Sequence, residues 1–156
     1  MGRIATLVLS HLAVLLLGVA LGMYLLPIIV AVPAPDAAQL RALAAQARYS
    51  GEFRRKLADS DLLHWGEGTV AVDSAAIALI GRLAPGPDYR LYLSPQFVQT
   101  EAEFRRLKSD MVEVGPVRSF DNFLVPVPAG IDVDAYRAVI VWCERFGQFI
   151  TAASYR

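Results

Sequence analysis

The sequence predicts an all-β domain, an antiparallel β-sandwich or barrel-like fold, preceded by one transmembrane α-helix and a short helical stalk. No formally charged side chain occurs between Arg3 and Asp36. From Tyr49 onward, the apolar residues form short runs separated by turn residues, which is typical of strands in an antiparallel fold. The chain therefore divides into a transmembrane anchor (1–35), a helical stalk (36–48) and an all-β domain (49–156).

The composition excludes two classes of protein. Lys+Arg and Asp+Glu both count 15 in 156 residues, so the chain lacks the basic surplus with which nucleic-acid-binding proteins neutralise phosphates. A hydrophobic content of 55% is too high for a disordered chain. It is also high for a protein that is soluble throughout. We therefore expect a membrane segment and no nucleic-acid partner.

The uncharged N-terminal stretch predicts a retained anchor that crosses the membrane once. Residues 4–26 would form a helix of about 34 Å, enough for a hydrocarbon core of about 30 Å, and we expect membrane contact over residues 4–32. This stretch exceeds the apolar region of about 7–15 residues in a cleavable signal peptide, and Pro35 would directly follow the nearest small-residue cleavage site. The positive-inside rule keeps Arg3 in the cytoplasm, so the β domain is expected outside the cell membrane.

Two further features of the N-terminal third bear on assembly. Gly18 and Gly22 have the spacing that lets a second membrane helix approach closely, which allows a homodimer, although glycine is frequent in membrane helices anyway. Asp36 is a candidate N-cap for a helix over 37–48, with Leu40 on its apolar side. Because no flexible linker follows, we expect the domain to be held close to the membrane surface.

The β domain is predicted strand by strand from apolar runs and turn residues. A two-residue hairpin turn is expected at 120–123, and a helix is expected after Thr100, which forms a capping-box pair with Glu103. The predicted strands are Gly51–Leu57, Gly68–Asp73, Ala76–Leu83, Tyr89–Ser94, Val112–Arg118, Phe123–Val127, Ala138–Arg145 and Gln148–Ala153.

Motifs for metal and nucleotide chemistry are absent from the sequence, so no metal site is expected. The carboxylate pairs at 59–61 and 132–134 are better explained as turn formers than as calcium ligands. The basic runs at 54–56 and 105–106 could touch lipid headgroups, but such short runs usually form solvated faces. With His64 as the domain's only histidine and no G-x-S-x-G motif, hydrolysis is not expected. The sequence leaves open whether the domain is an enzyme.

Cys143 is the only cysteine and the main candidate site residue. A lone thiol is unusual in an exported domain, because cysteines in an oxidising compartment are normally paired or absent. Strand alternation places Val141 and Cys143 on one face and Trp142 on the other, near the end of a buried stretch. The nearby Arg145 would lower the thiol pKa and favour a reactive thiolate. The alternative is that Cys143 is a small buried hydrophobe.

Six ordered segments of the domain resemble the electron-transfer DM-thirteen domain family. The most specific are Gly86-Pro87-Asp88 before Tyr92-Leu93-Ser94 and the terminal Val141-Trp142-Cys143-x-x-Phe146. The others are Tyr49-x-Gly51-x-Phe53, His64-x-x-Glu67-Gly68-Thr69, Val114-Gly115-Pro116-Val117 and Val127-Pro128. One departure is that Asp121-Asn122 stands where the family tends to have Gly-Asn.

The resemblance implies a β-rich extracytoplasmic domain with a characteristic cysteine, which Cys143 matches. The family is proposed to act in redox chemistry through the bare thiol or through a prosthetic group such as haem. Cys143 is then the catalytic and cofactor-binding candidate, and His64 or Met111 is the candidate second haem ligand. The resulting hypothesis is a membrane-anchored electron-transfer module with a redox partner protein. The alternative is a non-enzymatic β-sandwich that serves binding or assembly at the cell envelope, with Cys143 merely packed.

Overall fold

The computed structural model describes residues 2–156, and a long N-terminal helix precedes the folded domain. Helix α1 spans Gly2–Ile29 and is longer than the predicted 4–26, because it continues through Pro27. A proline removes one backbone donor, which is tolerated here close to the C-terminal end of the helix. Most of α1 is exposed, as expected for a surface that faces lipid. The helix is long and apolar enough to cross a membrane, a property that an anchor shares with a signal sequence.

Two antiparallel sheets of four strands each form the domain, in the orders β1-β2-β3-β6 and β5-β4-β7-β8, so the predicted sandwich is confirmed. The strands are β1 Tyr49–Phe53, β2 Gly66–Val72, β3 Ala76–Leu83, β4 Tyr89–Ser94, β5 Val112–Val117, β6 Asp121–Pro126, β7 Ala138–Cys143 and β8 Gln148–Ser154. The predicted bounds of β3 and β4 are met, and most others differ by one or two residues. The first strand is displaced toward the N-terminus, because Tyr49 pairs with Val72 and the pairing ends where Phe53 meets Gly68.

The expected hairpin at 120–123 is wrong. Asp121 and Asn122 lie inside β6, which pairs with β3, whereas the preceding strand β5 belongs to the other sheet. Asn122 does have a positive φ of 51°, as its residue type allows. Its side-chain Oδ1 accepts a hydrogen bond from the Gly81 N–H at 3.0 Å, at the register shift between the two strands. The turn-forming residue therefore serves a β-bulge.

Apolar side chains pack in three layers across the sandwich. The main core lies between the sheets and includes Leu79, Leu91, Val141 and Ile150. A second cluster lies on the outer face of the sheet that contains β7, where Phe104 of helix α3 (Glu101–Leu107) covers Trp142 and Phe149. A third lies on the outer face of the other sheet. The Thr100 cap of α3 is formed as predicted, with its Oγ1 accepting from the Glu103 N–H at 3.2 Å.

The predicted stalk is a helix packed on the domain. Helix α2 covers Ala37–Ala44, shorter than the predicted 37–48, and begins at Asp36, whose carboxylate accepts hydrogen bonds from two backbone N–H groups as predicted. Leu40 is fully buried against Ala71 and Ala78, which forms the third cluster. The segment between α1 and α2 also contacts the sandwich, since the Val32 N–H donates to the Arg118 carbonyl at 3.0 Å. The domain is thus tied closely to the end of α1.

Candidate functional site

Cys143 is the last residue of β7, and its side chain belongs to the core between the sheets. It pairs with Tyr89 of β4 and Gln148 of β8 and is only 2% exposed. Trp142 packs in the cluster on the opposite face of the same sheet. The predicted alternation and the position of Cys143 at the end of a buried stretch are therefore confirmed.

Burial raises the pKa of the Cys143 thiol, because a thiolate is poorly solvated there. Backbone N–H groups of Phe146, Asp88 and Arg145 act in the opposite direction and lower the pKa in part. The side chain of Arg145 is exposed in the turn after β7. The net shift of the thiol pKa is therefore opposite to the one expected from a neighbouring guanidinium, and the thiol is protonated at neutral pH.

A cavity of about 220 Å³ brings Cys143 and His64 together. One wall comes from the C-terminal half of α1, and the other comes from the end of the sandwich that faces α1. We call that end, formed by the loops 54–65, 84–88 and 144–147, the proximal end. The lining residues are Ala20, Met23 and Tyr24 of α1 with Leu63, His64, Pro85, Gly86, Pro87, Tyr89, Cys143, Phe146 and Ile150. The two site candidates named from the sequence thus share one cavity.

Asp61 holds the His64 ring in place. The His64 Nδ1 atom lies 2.9 Å from Asp61 Oδ2, and Asp61 Oδ1 accepts from the backbone N–H groups of Leu63 and His64 at 2.7 and 2.8 Å. Burial is the largest single effect on Asp61 and raises the pKa of its carboxyl group, but the hydrogen bonds to His64 and Leu63 together outweigh it, so the pKa is lowered. An Nδ1–H that donates to this carboxylate leaves Nε2 unprotonated, free to accept a proton or bind a ligand.

Tyr89 and Gly86 shape the wall beside the thiol, and sequence reasoning did not assign them this role. Tyr89 is 3% exposed, and burial raises the pKa of its hydroxyl group, an increase to which the neighbouring Cys143 adds at alkaline pH, where its thiol ionises. A Cβ atom on Gly86 would lie 2.4 Å from the Tyr89 ring, so only glycine lets the ring stay in this position. Gly86 opens the Gly-Pro-Asp segment by which the resemblance was identified, and Tyr89 directly follows that segment.

The other candidates lie elsewhere. Met111 packs beside the Trp142 cluster, on the face of the sheet opposite to Cys143, so it is not brought together with the thiol. Within residues 2–156, no group of three or more His, Cys, Asp or Glu side chains is placed to hold a metal ion. Asp132 accepts a hydrogen bond from the Asp134 backbone N–H at 2.9 Å, which is the turn role expected of it.

A haem does not fit between Cys143 and His64 in this arrangement. Pockets that bury drug-sized ligands have volumes of about 300–1,000 Å³, and this cavity of about 220 Å³ is smaller than that range. The cavity also holds the thiol in its protonated form, which is a poor ligand compared with a thiolate. The site instead suits a small molecule or a narrow chain segment.

Comparisons with known proteins agree with the resemblance seen in the sequence. The family model described as electron transfer DM13 matches residues 56–155, a range that contains β2 to β8 together with both Cys143 and His64. No curated protein and no solved structure matches this chain.

Proposed function

This chain belongs to the electron transfer DM13 family, and from that membership we propose that it is a membrane-anchored, extracytoplasmic redox module that acts through the Cys143 thiol. The family supports a general role in redox chemistry or electron transfer. The observation that supports the specific role is the cavity shared by Cys143 and His64 beside helix α1. A retained α1 with Arg3 in the cytoplasm would hold this cavity at the extracytoplasmic surface of the membrane that α1 spans.

The proposed chemistry is thiol–disulfide exchange with a partner that carries a disulfide. His64 Nε2 takes the proton of the Cys143 thiol, directly or through one water molecule in the cavity. The thiolate attacks one sulfur of the partner's disulfide, whose S–S bond breaks as the mixed disulfide forms. The released thiolate takes the proton back from His64. One thiol and one disulfide are consumed, and one mixed disulfide and one thiol are formed.

Two features of the site support Cys143 as the nucleophile and His64 as the base. Because burial raises the pKa of the Cys143 thiol, the thiol needs a base to react at neutral pH. His64 is suited to be that base, because the Asp61 carboxylate at its Nδ1 fixes the ring and leaves Nε2 to accept the proton. Since Cys143 is only 2% exposed, the disulfide must be small or lie on a narrow protruding segment.

The proposal is tested by following mixed-disulfide formation on the purified full chain in detergent. Glutathione disulfide is added, and intact mass is recorded over time for the native chain, for Cys143→Ala as the control and for His64→Ala. We expect a mass increase that is absent in Cys143→Ala. We expect His64→Ala to react more slowly at neutral pH and to approach the native rate at alkaline pH, where the thiol ionises without a base.

The alternative is a non-enzymatic binding or assembly module in which Cys143 is only packed. The burial and the raised thiol pKa of Cys143 favour this alternative. A thiol that resists glutathione disulfide until the chain is denatured would support it and contradict the redox proposal. The homodimer through Gly18 and Gly22 stays a prediction. Both glycines lie on the open surface of the helix, where a second helix has room to approach.

A further inference from the structure

We propose that the proximal end of the sandwich is a lipid-docking surface, with which the domain rests on the same bilayer that α1 spans. Its apolar tip consists of Leu62, Leu63 and Phe146, and its basic rim consists of Arg54, Lys56 and Arg145. The partner is the outer leaflet of a phospholipid bilayer that contains anionic headgroups. This inference depends on α1 as a membrane helix and is independent of the chemistry at Cys143.

The apolar tip is the first observation that carries this proposal. Leu62, Leu63 and Phe146 are 93%, 59% and 52% exposed. Among the described residues of the domain beyond α2, these are the three most exposed large hydrophobic side chains. They lie in two loops of the same end. Exposed apolar residues gathered in one place indicate a binding surface, whereas scattered ones need no explanation.

The second observation is the depth at which this tip meets the helix. Leu63 and Phe146 line one cavity with Ala20, Met23 and Tyr24 of α1. A hydrocarbon core of about 30 Å takes about 20 residues of helix, so a span that begins after Arg3 ends near Met23. The tip therefore lies level with the outer boundary of the core. Tyr24 stands where aromatic residues favour the lipid–water interface.

The charges around the tip complement a lipid surface. Arg54, Lys56 and Arg145 are exposed and form no ion pair within residues 2–156. Of the neighbouring acidic side chains, Glu67 forms ion pairs with Arg55 and Arg82, and Glu144 forms one with Lys108. Asp61 is hydrogen-bonded to the His64 ring, and Asp59 accepts a hydrogen bond from the Glu101 backbone N–H at 2.7 Å. The Arg55 guanidinium lies 3.5 Å from the centre of the Trp65 ring, which fixes the basic segment 54–56 at this end. The rim thus presents unpaired positive charge beside an apolar tip, the combination that binds anionic membranes.

The opposite end of the sandwich provides a matched control. Ala129 is exposed in the loop after β6, and β6 ends where Pro126 pairs with Ala76, the first residue of β3. The eight residues of β3 separate that end from Leu83 by about 25 Å at about 3.3 Å per residue. A probe at Ala129 should therefore stay in water while a probe at Leu62 enters the interface.

The test uses the full chain in nanodiscs of phosphatidylcholine and phosphatidylglycerol. An environment-sensitive nitrobenzoxadiazole probe is attached to Leu62→Cys or Ala129→Cys, each in a Cys143→Ala background, and lipids spin-labelled near the headgroup serve as quenchers. We expect a blue-shifted and quenched emission at position 62 only. An aqueous, unquenched signal at both positions would overturn the proposal. Intact mass on the same sample verifies that α1 is still attached.

Charge reversal separates lipid docking from simple proximity to the anchor. The double variant Arg54→Glu and Lys56→Glu should reduce quenching at position 62 in discs that contain phosphatidylglycerol. A basic residue near an anionic membrane contributes about 1 kcal/mol, so each substitution should lower the ratio of docked to undocked domains by roughly five-fold. The same variant should have little effect in pure phosphatidylcholine discs. Arg137→Glu, which changes an exposed arginine at the far end, is the control. Equal losses in both kinds of disc, or for both variants, would contradict a role for the rim.

Discussion

Replacing Trp142 by Ala should strongly destabilise the domain, because this side chain holds helix α3 on the sheet. Its ring stacks on Phe104 with centroids 4.0 Å apart and an interplanar angle of 10°, and Trp142 is 3% exposed. About 200 Å² of aromatic surface at about 25 cal/mol per Å² corresponds to about 5 kcal/mol. Residual burial in the unfolded chain reduces this value by about a quarter. We expect a loss of about 3–5 kcal/mol, the usual range for deleting a buried aromatic.

Urea unfolding of the full chain in detergent measures this loss. Trp65 remains as the fluorescent reporter in the Trp142→Ala variant. Trp65→Ala is the matched control, because its half-buried ring contacts the Arg55 guanidinium and its loss should cost about 1 kcal/mol. A shifted midpoint with an unchanged slope would indicate lost stability of the native state. A loss under about 1 kcal/mol for Trp142→Ala would refute the assignment of this cluster to the core.

Three further predictions concern Cys143 and the topology. The free energy of unfolding should fall as the pH rises above about 8.5, because the thiol of the unfolded chain ionises there while the folded thiol, with its raised pKa, stays protonated. The fall should be smaller in Cys143→Ala, and parallel pH profiles of the two chains in urea unfolding would contradict this. Cys143→Ser should cost more stability than Cys143→Ala, by about 1–3 kcal/mol, since it buries a hydroxyl without a partner; equal midpoints would indicate a site open to water. A phosphatase fused after Arg156 should be active only outside the cytoplasm, and mass spectrometry of the mature chain should find Arg3; a mature N-terminus near Pro35 would refute the anchor.

The parts of the fold that depend on local pattern were predictable from the sequence. The charge-free stretch indicated α1, the alternation through Cys143 indicated β7, and Asp36 and Thr100 were recognised as helix caps. Each of these signals is complete within a few residues of sequence. The preferences of side chains for lipid, for one face of a strand or for a free backbone N–H do not depend on distant partners.

The features that could not be predicted depend on partners far away in the sequence. The residues at 120–123 have turn chemistry, but only the tertiary fold decides that Asn122 faces Gly81 in a bulge. The docking of α2 requires the small surface that Ala71 and Ala78 provide to Leu40. The pKa of Cys143 is raised because the thiol is buried. The charged residue beside it in the sequence does not indicate that burial.

The candidate site was predicted only in part. Cys143 and His64 were both named from the sequence, but their common cavity depends on helix α1, whose Met23 and Tyr24 close one wall. Asp61 was recognised as a turn former, and its second role on the His64 ring appears only in the folded chain. A carboxylate three residues before a histidine is too common a pattern to indicate that role.

We expect the segment that joins α1 to α2 to shield two strand edges of the sandwich. β5 and β6 are edge strands of different sheets, and unpaired strand edges are templates for aggregation. Each carries a proline, Pro116 and Pro126, which cannot donate to an added strand. The connecting segment lines a cavity of about 500 Å³ together with both strands, and its Val32 N–H donates to the Arg118 carbonyl just after β5. Proteolysis within this segment would therefore do more than separate the domain from α1. We expect it to uncover two strand edges at once, so that the freed domain becomes prone to form oligomers.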